Sequence, residues 1–359
     1  MSAQRIVLSH LSELVAHDTQ NPPRAFDSRS PIWGYVSQVL SLAGFEVQLT
    51  DHGAGHVNLF ALRGQTDVLF NCHLDTVPAS SSWQRPPLTL SVEDERAYGL
   101  GATDIKGAAA ALLTVAETTD QPMALLLSSD EEGAGSCCIR HFLNSPAARA
   151  FSHAVVAEPT GCRAVLAHNG YLSVKGWFKG VAGHSSELRA LTDNANHRLA
   201  HWMVRAIAHC QALADADRPT RFNVGLLSGG IKSNVIADEA HVHYSARLSP
   251  GESNDELFAA LSALVETKND ARWEVPFSGS PLPAAGQNHQ AAWRFCQRHG
   301  LDMGEPVGFW TEAALFSEAG LSAIVLGPGD IAQAHTADEW VEVEQLTQIT
   351  ACYRRIVEG

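Results

Sequence analysis

Several apolar runs in this chain end abruptly in side chains that bind metals or move protons. Leu125-Leu126-Leu127-Ser128-Ser129 gives way to Asp130-Glu131-Glu132-Gly133. Val68 to Asn71 runs into Cys72-His73-Leu74-Asp75, and Ala154-Val155-Val156-Ala157 is followed by Glu158-Pro159-Thr160. A glycine-rich turn, Tyr98 to Gly107, carries Asp104. Consecutive carboxylates repel one another unless positive charge sits among them. A divalent cation supplies that charge and coordinates oxygen directly. The competing reading is an acidic, solvated loop after a strand. Oxygen and imidazole donors without thiolate suit zinc, cobalt or manganese, with zinc the default. His73, Asp104, Glu132, Glu158 and His335 supply two imidazoles and three carboxylates. With Asp104 shared, each of two ions would hold one histidine, one glutamate and half of the aspartate. That pattern suits a pair roughly 3.5 Å apart with a common water. Consecutive side chains diverge in an irregular turn, so Glu131 can face that water as a general base while Glu132 binds metal.

Other chemistries fit less well. Gly99-Leu100-Gly101 lacks the full dinucleotide fingerprint and the lysine-serine ending of a phosphate loop. Ser128-Ser129 has no nucleophile elbow. Lys106 reads as a structural charge under the acidic turn ahead of a base or a ligand partner, and His10 and His168 as ordinary histidines.

These residues need elements to position them. Ile6, Val7, Leu8, Leu11, Leu14 and Val15 recur at helical spacing, and Asn21-Pro22-Pro23 stops that helix. Pro31 to Ala43, Ala108 to Ala116 and Ile139 to Leu143 predict further helices. Phe45 to Leu49, Val57 to Leu62, Val68 to Asn71 and Ala154 to Ala157 predict strands. The alternation implies an α/β domain: a mostly parallel, mixed sheet with helices on both faces. Ligands of such sheets bind outside the carboxyl ends of the strands, where His73, Asp104, Glu131, Glu132 and Glu158 fall. The pattern changes near Cys162. Tyr171 to Phe178, Arg221 to Leu227 and His241 to Leu248 alternate like half-exposed strands, with helices at about Leu191 to Ala214 and Asn254 to Val265. The expectation is an inserted α+β domain, an antiparallel sheet with two helices. It would occupy residues 163–275, inside a catalytic domain of residues 1–162 and 276–359. Pro276 to Pro283 reads as the return linker, Ala323 to Leu326 as a buried strand and Glu344 to Val357 as a closing helix.

The bulk numbers agree. A chain of 359 residues favours two domains. With 45% hydrophobic and 18% charged residues it is a folded protein. A net charge of -14 disfavours nucleic-acid or anionic-membrane partners. Seven cysteines without a CxxC predict free thiols in a reducing compartment. Met1 to Gln20 shows no secretory signal, and no apolar run approaches the roughly 20 residues of a membrane span. A cytoplasmic protein is expected.

His73-Leu74-Asp75-Thr76-Val77-Pro78, Gly99-Leu100-Gly101 through Asp104-Ile105-Lys106-Gly107, Asp130-Glu131-Glu132, Glu158-Pro159-Thr160 and Ala334-His335-Thr336 together resemble the M20 family of metallohydrolases. The likeness covers essentially the whole chain. Asn21-Pro22-Pro23-Arg24, Gly229 to Asn234 and Gly327 to His335 resemble most the family's deacetylases of N-acetylornithine and N-acetylcitrulline in arginine biosynthesis. The resemblance implies one metal site of His73, Asp104 and Glu158 and a second of Asp104, Glu132 and His335. Asp75 would orient His73. His184, in Gly183-His184-Ser185-Ser186, would steady the oxyanion, often from a partner subunit; the competing reading is a surface histidine in a glycine turn. Asn234 and Arg247 would hold the substrate α-carboxylate, with a structural salt bridge as the other reading of Arg247. Glu312 stands where relatives more usually carry aspartate. The implied activity is zinc- or cobalt-dependent hydrolysis of a small N-acetyl-L-amino acid, with a homodimer formed through the inserted domain. The alternatives are a succinyl-diaminopimelate desuccinylase, a small-peptide metallopeptidase and a non-catalytic binding protein. Ornithine and citrulline are not separated.

Overall fold

The apolar runs become neighbouring strands of one six-stranded sheet. The computed structural model describes residues 2–23, 26–133, 137–216, 220–266 and 271–359; Arg24 lies outside them. The sheet order is Glu46–Asp51, Val57–Arg63, Met123–Ser128, Val68–His73, His153–Val156, Ser322–Val325. The last four strands are parallel, and the first two join antiparallel. Val68–His73 and Met123–Ser128 are buried at every residue, as parallel strands covered on both faces must be. The period of two divides their side chains between two cores. Val57, Leu59, Phe70, Cys72, Leu125 and Leu127 share one core with helices Ala3–Ala16, Pro31–Leu42, Lys106–Thr118 and Val343–Glu358. The alternate residue Phe60 meets Phe142 of helix Cys137–Leu143 and also Phe151, with ring centroids 5.2 and 6.1 Å away. Three adjacent parallel strands therefore deliver His73, the acidic turn and Glu158 to the same edge of the sheet.

The chain divides into two units. The first is Met1–Ala167 with Asn288–Pro306 and Thr311–Gly359; the second is His168–Gln287 with Val307–Trp310. Its sheet is antiparallel, in the order Arg221–Gly229, Glu239–Leu248, Gly170–Lys179, Ala271–Gly279, and it carries helices Ala195–Asp215 and Asn254–Ser262. Fully buried Trp202 centres its core, with ring centroids 5.7, 5.4 and 5.1 Å from Phe178, Tyr244 and Trp273. Its indole N–H donates to the Leu261 carbonyl at 2.8 Å. Trp202→Ala is expected to destabilise this unit by about 3–5 kcal/mol, measured as a shifted denaturant midpoint.

The boundaries differ from 163 and 275 for a physical reason. Ala164 and Val165 pair with Met303 and Val325 of the first unit. Pro276 lies inside strand Ala271–Gly279, which resumes its pairing with Gly170–Lys179 after a register shift instead of leading back as a linker. A small sheet of Ser91–Glu93, Arg96–Tyr98 and Trp340–Glu342 has no counterpart in the sequence reading. Among the described residues no helix is long and apolar enough to cross a membrane.

Candidate metal centre

His73 ends its strand and is buried. Its Nδ1 lies 2.9 Å from the main-chain carbonyl of Asp75. A carbonyl only accepts, so Nδ1 carries the hydrogen and Nε2 presents its lone pair. That Nε2 faces Asp104 Oδ1 at 3.2 Å and Glu158 Oε1 at 3.9 Å. A lone pair aimed at two carboxylates needs a proton or a metal ion between them. Burial opposes the proton, yet the bonds to Asp104 and Asp75 and the charge of Glu158 raise the His73 pKa well above its ordinary value.

His335 arrives from the loop after Ser322–Val325 with a backbone φ of +61°, a conformation uncommon outside glycine. Its Nε2 is 2.9 Å from Glu132 Oε1 and 3.4 Å from Asp104 Oδ2. Bonds to Asp104 and Glu132 push its pKa up to about 10. Asp104 thus offers one oxygen to each imidazole. The residues form two donor triads, His73-Asp104-Glu158 and Asp104-Glu132-His335, each with its donor atoms within 4.8 Å of one another.

Acids outnumber bases here. Burial raises the pKa of Glu131, Glu132 and Glu158, and neighbouring carboxylates add to it. Asp104 goes the other way: burial is outweighed by hydrogen bonds from His335 and His73, which hold its pKa low. This surplus of carboxylates around the two imidazoles fits a pair of divalent cations, and nitrogen and oxygen donors suit zinc, cobalt or manganese. Such ions must displace the protons held by His73 and His335. Metal binding near pH 7 is therefore expected to release protons and to weaken as pH falls, which titration calorimetry in two buffers of different ionisation enthalpy measures. In the metal-free chain the sign follows from the raised value. Ionised His335 adds stability below its unfolded pKa of about 6.5, and that contribution is lost as pH rises through about 10.

The Asp104 turn hangs from a residue that sequence reasoning missed. The main-chain N–H groups of Gly101, Thr103 and Asp104 each donate to the Glu339 carboxylate at 2.8 Å. Burial pushes the Glu339 pKa up to about 8 against those bonds. Lys106 is buried beneath the turn and donates to the His17 carbonyl at 2.9 Å. Gly101 has φ +80°, and a Cβ there would lie 2.8 Å from the Thr76 methyl, so only glycine fits. At Gly327 a Cβ would stand 2.5 Å from the Glu158 carbonyl oxygen, so the loop closes on the backbone of that acid. Glu339→Gln is expected to weaken metal binding about 10–100-fold, read by competition with a chelator.

The acidic turn is tied down by Asp75. Its carboxylate accepts from the Glu131 N–H at 3.2 Å, the Glu132 N–H at 3.0 Å and the Asn21 side chain at 3.0 Å. It lies 3.4 Å from the His73 ring, which bonds the Asp75 carbonyl instead. Asp130 turns elsewhere, to His56 Nδ1 at 2.7 Å and the Cys138 N–H at 3.0 Å. Glu312 is buried, accepts from the Ser128 hydroxyl at 3.5 Å, and its charge adds to the raised pKa of Glu131 and Glu158.

In the second unit, Gly183–His184 pairs with Val235–Ile236. His184 is exposed, with Nδ1 2.8 Å from the Ser186 hydroxyl. The Ser185 N–H donates to the Asn234 carbonyl at 3.2 Å, so His184 and Asn234 are neighbours. Arg247 does not join them. It sits towards the far end of strand Glu239–Leu248, opposite Tyr171, with its guanidinium 4.0 Å from that ring.

Known proteins share this sequence and fold. The chain is 42% identical to an N-acetyl-L-citrulline deacetylase of Xanthomonas campestris pv. campestris, across 98% of this chain and 97% of the relative. It is 32% identical to an acetylornithine deacetylase of Myxococcus xanthus, across 97% and 95%. The aminopeptidase PepT structure from Bacillus cereus shares the fold, with a TM-score of 0.74 at 19% identity over 99% of this chain and 98% of that one. Residues 69–359 match Peptidase family M20/M25/M40. This chain belongs to that family and is one of its hydrolases.

Proposed function

We propose that this chain hydrolyses the amide of an N-acetyl-L-amino acid in arginine biosynthesis, N-acetyl-L-citrulline ahead of N-acetylornithine. The geometry that carries the reading is Asp104 shared between two donor triads, with Glu131 adjacent in the acidic turn to the donor Glu132. The preference for citrulline rests on 42% identity to a citrulline-series deacetylase, against 32% and 30% to two acetylornithine deacetylases.

His73, Asp104 and Glu158 would hold one ion and Asp104, Glu132 and His335 the other, with zinc or cobalt as the expected metal. A bound pair polarises the acyl carbonyl and makes a nucleophile available at neutral pH. Glu131 takes a proton from the attacking water as its oxygen bonds to the acetyl carbon. The same carboxyl then returns that proton to nitrogen as the C–N bond breaks, giving acetate and the free amino acid. The raised pKa of Glu131, from burial and then neighbouring carboxylates, suits a group that must hold a proton between steps. His184 would donate to the developing oxyanion, and Asn234 and Arg247 would bind the α-carboxylate. His184 and Asn234 lie at the Gly183–His184 and Val235–Ile236 pair, which adjoins the Glu239 end of strand Glu239–Leu248, and Arg247 lies near the strand's other end, about 27 Å along it. One small substrate does not span that length, so His184 and Asn234 of a second copy would complete the site beside Arg247 in a homodimer. The free cysteines are in keeping with the cytoplasm.

The test is parallel turnover of both N-acetyl substrates by the metal-reconstituted protein. A higher kcat/KM on N-acetylcitrulline is expected. Preference for N-acetylornithine reverses the substrate order, and turnover of neither removes the reading.

A further inference from the structure

We propose that His56, Asp130 and Cys138 form a separate site for one divalent transition ion of the zinc class. The three residues each place one donor atom within 4.8 Å of the others. Asp130 is fully buried, and its Oδ2 accepts from His56 Nδ1 and the Cys138 N–H. Its other oxygen, Oδ1, has no hydrogen-bond partner among the described residues. A buried, unpaired carboxylate oxygen is costly, and a cation relieves it directly. Asn58 repeats the signal. Its amide nitrogen donates to the Cys138 carbonyl at 2.7 Å, while its buried Oδ1 is likewise without a partner. Its amide also reaches His52 Nε2 at 3.2 Å, and the His52 ring stacks on His141 at 4.1 Å. Burial, and then the neighbouring His141, lower the His52 pKa.

Thiol, imidazole and carboxylate together select zinc or cobalt over magnesium or calcium. Burial and the Asp130 charge raise the Cys138 pKa, so the metal-free thiol keeps its proton. On binding, the S–H proton leaves to solvent and an S–metal bond replaces it. The site would clip three segments together: the residue before strand Val57–Arg63, the turn after Met123–Ser128 and the start of helix Cys137–Leu143. It would hold the back of the turn that presents Glu131 and Glu132. The proposal does not depend on which amide the enzyme cleaves.

Cobalt(II) titration of the full-length protein tests it, because the catalytic triads contain no sulfur. A thiolate-to-cobalt charge-transfer band in the near ultraviolet reports this site alone. The expected result is a band that grows to the intensity of one thiolate-bound cobalt per chain in the wild type and is lost in Cys138→Ser and His56→Gln. The wild type should also bind one more cobalt per chain than Cys138→Ser and gain more in Tm on loading. Absence of the band from the wild type, its survival in Cys138→Ser, or equal stoichiometry in the two proteins would overturn the assignment.

Discussion

Glu131→Gln is expected to leave a folded, metal-binding protein whose kcat is lower by about 10²–10⁴-fold. Glutamine matches glutamate in shape, and the main-chain N–H of residue 131 still reaches Asp75, so the turn is preserved. What disappears is the ability to accept a proton and give it back. The donor triads do not include Glu131, so metal content should be unchanged. A variant with full metal and full kcat would remove Glu131 as the base. A variant that loses its metal would show that the residue supports the centre instead.

Asp104→Ala should have the broader effect, because Asp104 is the one residue common to both triads. Its removal takes a ligand from each ion and leaves both imidazoles without their shared partner. The expected outcome is loss of both ions and of measurable turnover. Glu158→Gln touches only the triad with His73, so it should spare the ion held by Glu132 and His335. Metal analysis after gel filtration distinguishes the two. Equal, partial loss in both variants would mean that Asp104 does not bridge.

The elements that carry the site were legible because strand and helix periods are local. The run Leu125 to Leu127 and the strand before His73 read directly as buried strands, and the carboxyl-edge rule puts His73, the acidic turn and Glu158 at one edge of the sheet. The three consecutive acids were not resolved by the same means. The main-chain N–H groups of Glu131 and Glu132 are held by Asp75, the Glu132 carboxylate meets His335, and Asp130 is drawn away by His56 and Cys138. Those partners lie far off in sequence or in the backbone, where no pattern records them. Glu339 escaped notice for the same reason. It supports a turn more than 200 residues upstream through N–H groups that every residue type but proline possesses. The sequence offers Arg247 as a substrate ligand or one half of a salt bridge, and its guanidinium stacks on Tyr171, a cross-strand neighbour fixed by register.

The most direct measurement is anomalous diffraction from crystals grown with zinc or cobalt. At the candidate centre two peaks should appear, apart from the one proposed at His56, Asp130 and Cys138: one bound by His73, Asp104 and Glu158 and the other by Asp104, Glu132 and His335, with Asp104 touching both. A centre in which Asp104 contacts no ion, or in which His335 stays out of reach of the second, would contradict the account.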